Sequence, residues 1–144
     1  MGKNTVKAIG ATAVLLGGLM QVAQAHTITS ALAAPASSTD LWSVTCPAGV
    51  AKVQGYMREI SNPGDATRIS LTVVHAISPF RGLNTVAPNA AANSPIINVV
   101  AGTGRYLVAV TKSGPGLETY NGTIHCLNKN NVEIGAEPVL LQNQ

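Results

Sequence analysis

The stretch Thr67-Arg68-Ile69-Ser70-Leu71-Thr72-Val73-Val74-His75-Ala76-Ile77-Ser78 decides the fold class of this chain. Ile69, Leu71, Val73, His75 and Ile77 recur at every second position, opposite Arg68, Ser70, Thr72, Val74 and Ala76. A period of two puts alternate side chains on opposite faces of an extended strand. One face is buried and the other partly exposed, the pattern of antiparallel sheets rather than of a parallel sheet covered on both sides.

Working outward, turn chemistry punctuates the chain on both sides of this strand. Asn62-Pro63-Gly64-Asp65 has proline where a type II turn fixes φ and glycine where it needs positive φ. Before it, Leu41 to Cys46 and Val50 to Met57 read as two strands around Pro47-Ala48-Gly49. After it, Pro79 to Ser94 reads as a long irregular loop carrying Phe80 and Arg81, too long for a simple hairpin turn. Pro95 to Val100 and Arg105 to Lys112 follow as strands around Ala101-Gly102-Thr103-Gly104, read as a hairpin connection, with Tyr106, Val108 and Val110 in phase on the second. Ser113-Gly114-Pro115-Gly116 breaks the chain, and Thr119 to Asn128 resumes it with Tyr120, Ile124 and Cys126 on one face. A turn at Asn128 to Asn131 leads into Val132 to Leu141, a final strand or edge segment interrupted by Pro138. Seven or so short strands without an amphipathic helical pattern after residue 25 predict an all-β, antiparallel β-sandwich over residues 40–144.

The first 25 residues read as a signal peptide. Lys3 and Lys7 precede the apolar run Ala8 to Met20, and Ala23-Gln24-Ala25 supplies the small-x-small cleavage site. The run carries Gly10, Gly17 and Gly18 and is shorter than the ~20 residues of a membrane span. A second small-x-small site at Ala31-Leu32-Ala33 lies farther from the apolar run. Residues 26–39, rich in Ala, Ser and Thr, read as a flexible leader, with order beginning at Asp40.

Export changes the meaning of the composition. The formal net charge of +3 includes Lys3 and Lys7; without them seven basic residues face six acidic ones, and the basic residues are scattered singly. No stripe remains to neutralise a run of phosphates, so nucleic acid is not an expected partner. Only 10% of the residues are charged, well below the roughly 25% of average globular proteins. The two cysteines, Cys46 and Cys126, read as one disulfide in an oxidising compartment, secreted, periplasmic or at the cell surface.

The opening Asp40-Leu41-Trp42, the turn Pro47-Ala48-Gly49, the strand Ile69 to Val74, the run Ala101 to Val110 and the closing aromatic Tyr120 together resemble the bacterial pre-peptidase C-terminal domain. That resemblance spans about ninety residues and implies a jelly-roll-like β-sandwich and export. Members of that family usually accompany a catalytic domain, whereas here the module stands alone behind its signal. Some related domains bind calcium through clustered acidic residues, whereas the only aspartates here, Asp40 and Asp65, are widely separated, so the resemblance supports fold and export better than a calcium site.

Chemistry-bearing residues are few. If cleavage leaves His26 at the N-terminus, its amino group and imidazole can chelate copper, with His75 or His125 completing the set. His75 lies in phase with apolar neighbours, as a neutral core histidine does, and His125 reads as a solvated side chain with no carboxylate nearby. Lys112-Ser113-Gly114 lacks the glycine that precedes the serine of a nucleophile elbow, and paired-carboxylate chemistry has little material. Trp42 reads as a core residue beside the disulfide, and Asn121-Gly122-Thr123 fits a glycosylation sequon. The expectation is a non-enzymatic exported module without a cofactor, with the Phe80–Arg81 loop as candidate binding loop. It contacts protein or glycan at the cell exterior or self-associates in a surface assembly. The alternative is a periplasmic copper-binding protein.

Overall fold

The computed structural model describes residues 26–61, 65–77, 81–88 and 92–144. The signal-peptide expectation, most of the Asn62 to Asp65 turn and Phe80 fall outside the described residues.

Nine strands make up the described chain: β1 (His26–Leu32), β2 (Thr39–Cys46), β3 (Lys52–Glu59), β4 (Ile69–His75), β5 (Gly82–Val86), β6 (Ile97–Val99), β7 (Gly104–Lys112), β8 (Glu118–Leu127) and β9 (Glu137–Gln142). They form two antiparallel sheets, one ordered β1-β8-β3-β6 and the other β5-β4-β7-β2-β9. The connectivity is that of a long hairpin rolled up on itself: β4 pairs β5, β3 pairs β6, β2 pairs β7 and β1 pairs β8. Links between β8 and β3 and between β7 and β4 then complete each sheet. This is a jelly roll with a ninth strand on the outside of β2.

The alternation of β4 holds over Ile69, Leu71, Val73 and His75, all buried, whereas Ile77 lies past the strand and is exposed. Val44, Val53, Met57, Val108, Val110 and Ile124 meet these residues from the inner faces of both sheets. Full burial of each such aliphatic side chain contributes about 1.5–3 kcal/mol. The Cys46–Cys126 disulfide joins β2 in one sheet to β8 in the other across a sequence separation of 80. A loop of that length is worth roughly 4–5 kcal/mol if the bond acts chiefly on the entropy of the unfolded chain.

Three sequence expectations change. Residues 26–39 are not a leader: His26–Leu32 form β1, paired along its length with β8, with Ile28 and Leu32 fully buried. Gly122 opposite Ile28 makes this pairing possible, since a Cβ there would come within 2.8 Å of Ile28 Cγ1. The Ala101 to Gly104 segment is not a hairpin, because β6 and β7 belong to different sheets and the chain arches across the sandwich. Gly102 and Gly104 supply φ of +84° and +136° for that arch, and the Tyr106 hydroxyl pins it by donating to the Gly102 carbonyl. Finally, the long loop after Ser78 contains β5, an edge strand whose residues are all exposed except Thr85.

Candidate functional site

The three histidines do not converge. His26 opens β1 on the phase of Ile28 and is half-buried. His75 ends β4 in the other sheet, its ring 4.8 Å from that of Tyr106 and its Nε2 3.3 Å from the Thr103 carbonyl oxygen, to which it donates when that nitrogen carries the proton. His125 lies on β8, on the opposite phase from buried Ile124 and Cys126, with Nδ1 2.7 Å from Glu133 Oε2. The reading of His125 as a solvated side chain, made because no carboxylate lies near it in sequence, is therefore corrected: its partner stands eight residues on, across a turn. Asn128 folds the turn that brings Glu133 back, its Oδ1 accepting from the backbone N–H groups of Asn130 and Val132 and its carbonyl from that of Asn131, which has φ of +61°.

His125 and Glu133 line a shallow depression of about 460 Å³ with Lys52, Gln54, Leu127 and Asn131. Its floor is β3 and β8, and Tyr56 stands beside it with its ring 6.3 Å from that of His125. An imidazole oriented by a carboxylate resembles the base half of a catalytic triad. The lining residues contribute no serine, threonine or cysteine nucleophile, and what they do offer is hydrogen-bond donors and acceptors. Arg81 is exposed, its Nη1 3.4 Å from the Val100 carbonyl. Asn121 of the sequon sits within β8 between β1 and β3, its Oδ1 accepting from Thr29 Oγ1.

Three buried acids, Asp40 on one side and Glu59 with Glu118 on the other, lie near Tyr120 on the inner phase of β8. Asp40, fully buried, accepts from the Tyr120 hydroxyl at 2.8 Å and from the Gln144 N–H at 3.0 Å, and Trp42 Nε1 donates to the Tyr120 oxygen at 3.0 Å. Burial, above all, raises the Tyr120 pKa beyond its ordinary value; the Asp40 hydrogen bond and charge add to this, and the Trp42 N–H opposes it. Trp42 thus meets the core as expected, with its indole nitrogen committed to a polar network.

The second group was missed by sequence reasoning. Glu59 ends β3 on the phase of Val53 and Met57, and Glu118 begins β8 on the phase of Tyr120 and Ile124. Both glutamates are fully buried. Asp65 completes the group, and one carboxylate oxygen from each of the three lies within 4.8 Å of the others. Ser61 Oγ donates to Glu118 Oε2 at 3.1 Å and accepts from the Thr119 N–H at 2.6 Å, while Asp65 Oδ1 accepts from the Thr67 N–H at 2.7 Å. Both oxygens of Glu59 and Oε1 of Glu118 lack a hydrogen-bond partner. Burial, then the neighbouring Glu118 and Asp65, push the Glu59 pKa up to about 7 against a smaller opposing effect of Arg68. The signal was present: extending the alternation of β3 and β8 by one period puts both glutamates on the inward phase, where a carboxylate needs a reason to be.

At one edge of the five-stranded sheet, β9 pairs only with β2 among the described residues and exposes Val139, Leu140 and Leu141 by 57%, 38% and 52%. Pro138, near its start, fits an edge position. No family model, curated protein or solved structure matches this chain.

Proposed function

We propose that this protein is an exported, non-enzymatic contact module that joins protein chains, its own copies included, at the cell exterior or in the periplasm. The observation that carries the reading is β9, an outer strand with three consecutive exposed aliphatic residues and one charged residue, Glu137. Free strand edges pair with other chains unless charge, proline or cover prevents it, and Pro138 protects only the beginning of this one. The low charged fraction weakens repulsion between copies.

Export is supported by the disulfide, which needs an oxidising compartment. Of the two candidate cleavage sites, the one after Ala33 would remove the buried Ile28 and Leu32, and the one after Ala25 would keep them. The resemblance to the pre-peptidase C-terminal domain agrees with this reading. Copper at His26 gains no support from the placement of His75 and His125, which leaves only the amino-imidazole pair of a free terminus.

Light scattering across a concentration series tests the assembly. The wild-type chain is expected to associate, and Val139→Lys with Leu141→Lys to stay monomeric with unchanged circular dichroism. A wild-type chain that is monomeric at every concentration and captures no strand-forming peptide at β9 defeats the reading. The depression beside His125 favours a second one, glycan contact through Lys52, Gln54, Asn131 and Glu133, which Gln54→Ala and His125→Ala would then weaken.

A further inference from the structure

We propose that Glu59, Asp65 and Glu118 form a binding site for a hard divalent cation, Ca2+ by size, that ties the end of β3 and the approach to β4 to the start of β8. Two independent observations lead there. The first is convergence: three carboxylates from separate parts of the fold offer oxygens within 4.8 Å of one another. Two oxygens on one ion lie at most twice the metal–oxygen distance apart, about 4.6–5.2 Å for Ca2+ and about 4.0–4.2 Å for Mg2+. The second is the unmet demand of Glu59, fully buried with neither oxygen partnered, and of Glu118, fully buried with Oε1 free.

Buried carboxylate oxygens without hydrogen-bond donors, as on Glu59 and Glu118, are costly, and the charge of the less buried Asp65 beside them adds repulsion. Arg68 is the cation whose field reaches Glu59. The oxygen-only donor set, with Ser61 Oγ already on Glu118, suits Ca2+ and offers no soft ligand for copper or zinc. A proton shared between Glu59 and Glu118 is the competing way to quiet the group, and it makes the opposite prediction: added Ca2+ would then do nothing.

The test uses the disulfide-intact chain at pH 8, stripped with a chelator, with CaCl2, MgCl2 and ionic-strength-matched NaCl as probes. Calorimetry is expected to give saturable one-to-one Ca2+ binding, with Mg2+ weaker. Ca2+ should raise the melting temperature by several degrees, and NaCl should not. Glu118→Gln and Asp65→Asn should each weaken Ca2+ binding at least tenfold while melting at or above the stripped wild type. Should Glu118→Gln fail to fold, Asp65→Asn carries the comparison. Absence of saturable Ca2+ binding at millimolar concentration, an equal response to NaCl, or unchanged affinity in the folded variants overturns the site.

Discussion

Two buried acid sites flank Tyr120, and they are built on opposite principles. On one side Asp40 accepts from the Tyr120 hydroxyl and the Gln144 N–H, and the hydroxyl in turn accepts from Trp42. On the other, Glu59 and Glu118 occupy equally buried positions with three oxygens unpartnered. Charge-assisted hydrogen bonds can offset the desolvation of a lone carboxylate, so the first site needs nothing further. The second has, among the described residues, a single donor, Ser61 Oγ, for two buried glutamates, and its stability must depend on protons or cations from solution.

The largest effect that would test this contrast is Asp40→Ala. Removing the acceptor strands the buried Tyr120 hydroxyl and releases the Gln144 N–H, and the chain should lose about 3 kcal/mol in urea denaturation. A loss under 1 kcal/mol would mean that the Asp40 network is incidental.

The second is a pH dependence confined to the other site. Glu59 holds its proton longer folded than unfolded, its pKa rising from 4.5 to about 7 under burial, Glu118 and Asp65. Between those values the folded state binds more protons, so without divalent cation the stability contribution of Glu59 is full below pH 4.5 and falls as pH rises to about 7. The wild type should lose about 2 kcal/mol relative to Glu59→Gln over that interval. Parallel profiles for the two proteins would remove the electrostatic account of the site.

The smallest effect is Trp42→Phe. It removes the donor to Tyr120 and leaves the acid hydrogen bond in place, so it should cost about 1 kcal/mol and leave the pH profile unchanged. A change in the profile would show that the two sites communicate through Tyr120.

The same contrast separates what the sequence discloses from what it hides. The alternation of Ile69 to His75 and the cysteine pair both act through local pattern or simple arithmetic, and both the sandwich and the disulfide follow from them. β1 escaped because its two core residues, Ile28 and Leu32, are separated by Thr29, Ser30 and Ala31, so its burial is set by β8 and not by its own pattern. β5 escaped because it is an edge strand with four of five residues exposed. The arch between β6 and β7 looked like a hairpin because glycines at a bend do not say whether the next strand stays in the same sheet. The acid group is nonlocal in the strictest sense. It depends on the register that sets Glu59 opposite Tyr120, two residues from Glu118.

The cross-sheet disulfide also bears on survival outside a cell. Cys46 and Cys126 enclose β3 to β8, including the connections at 60–68 and 87–96. A protease that cuts once anywhere in that span leaves both pieces covalently joined, each still threaded through both sheets. Nicking would then be silent on a non-reducing gel and visible only after reduction.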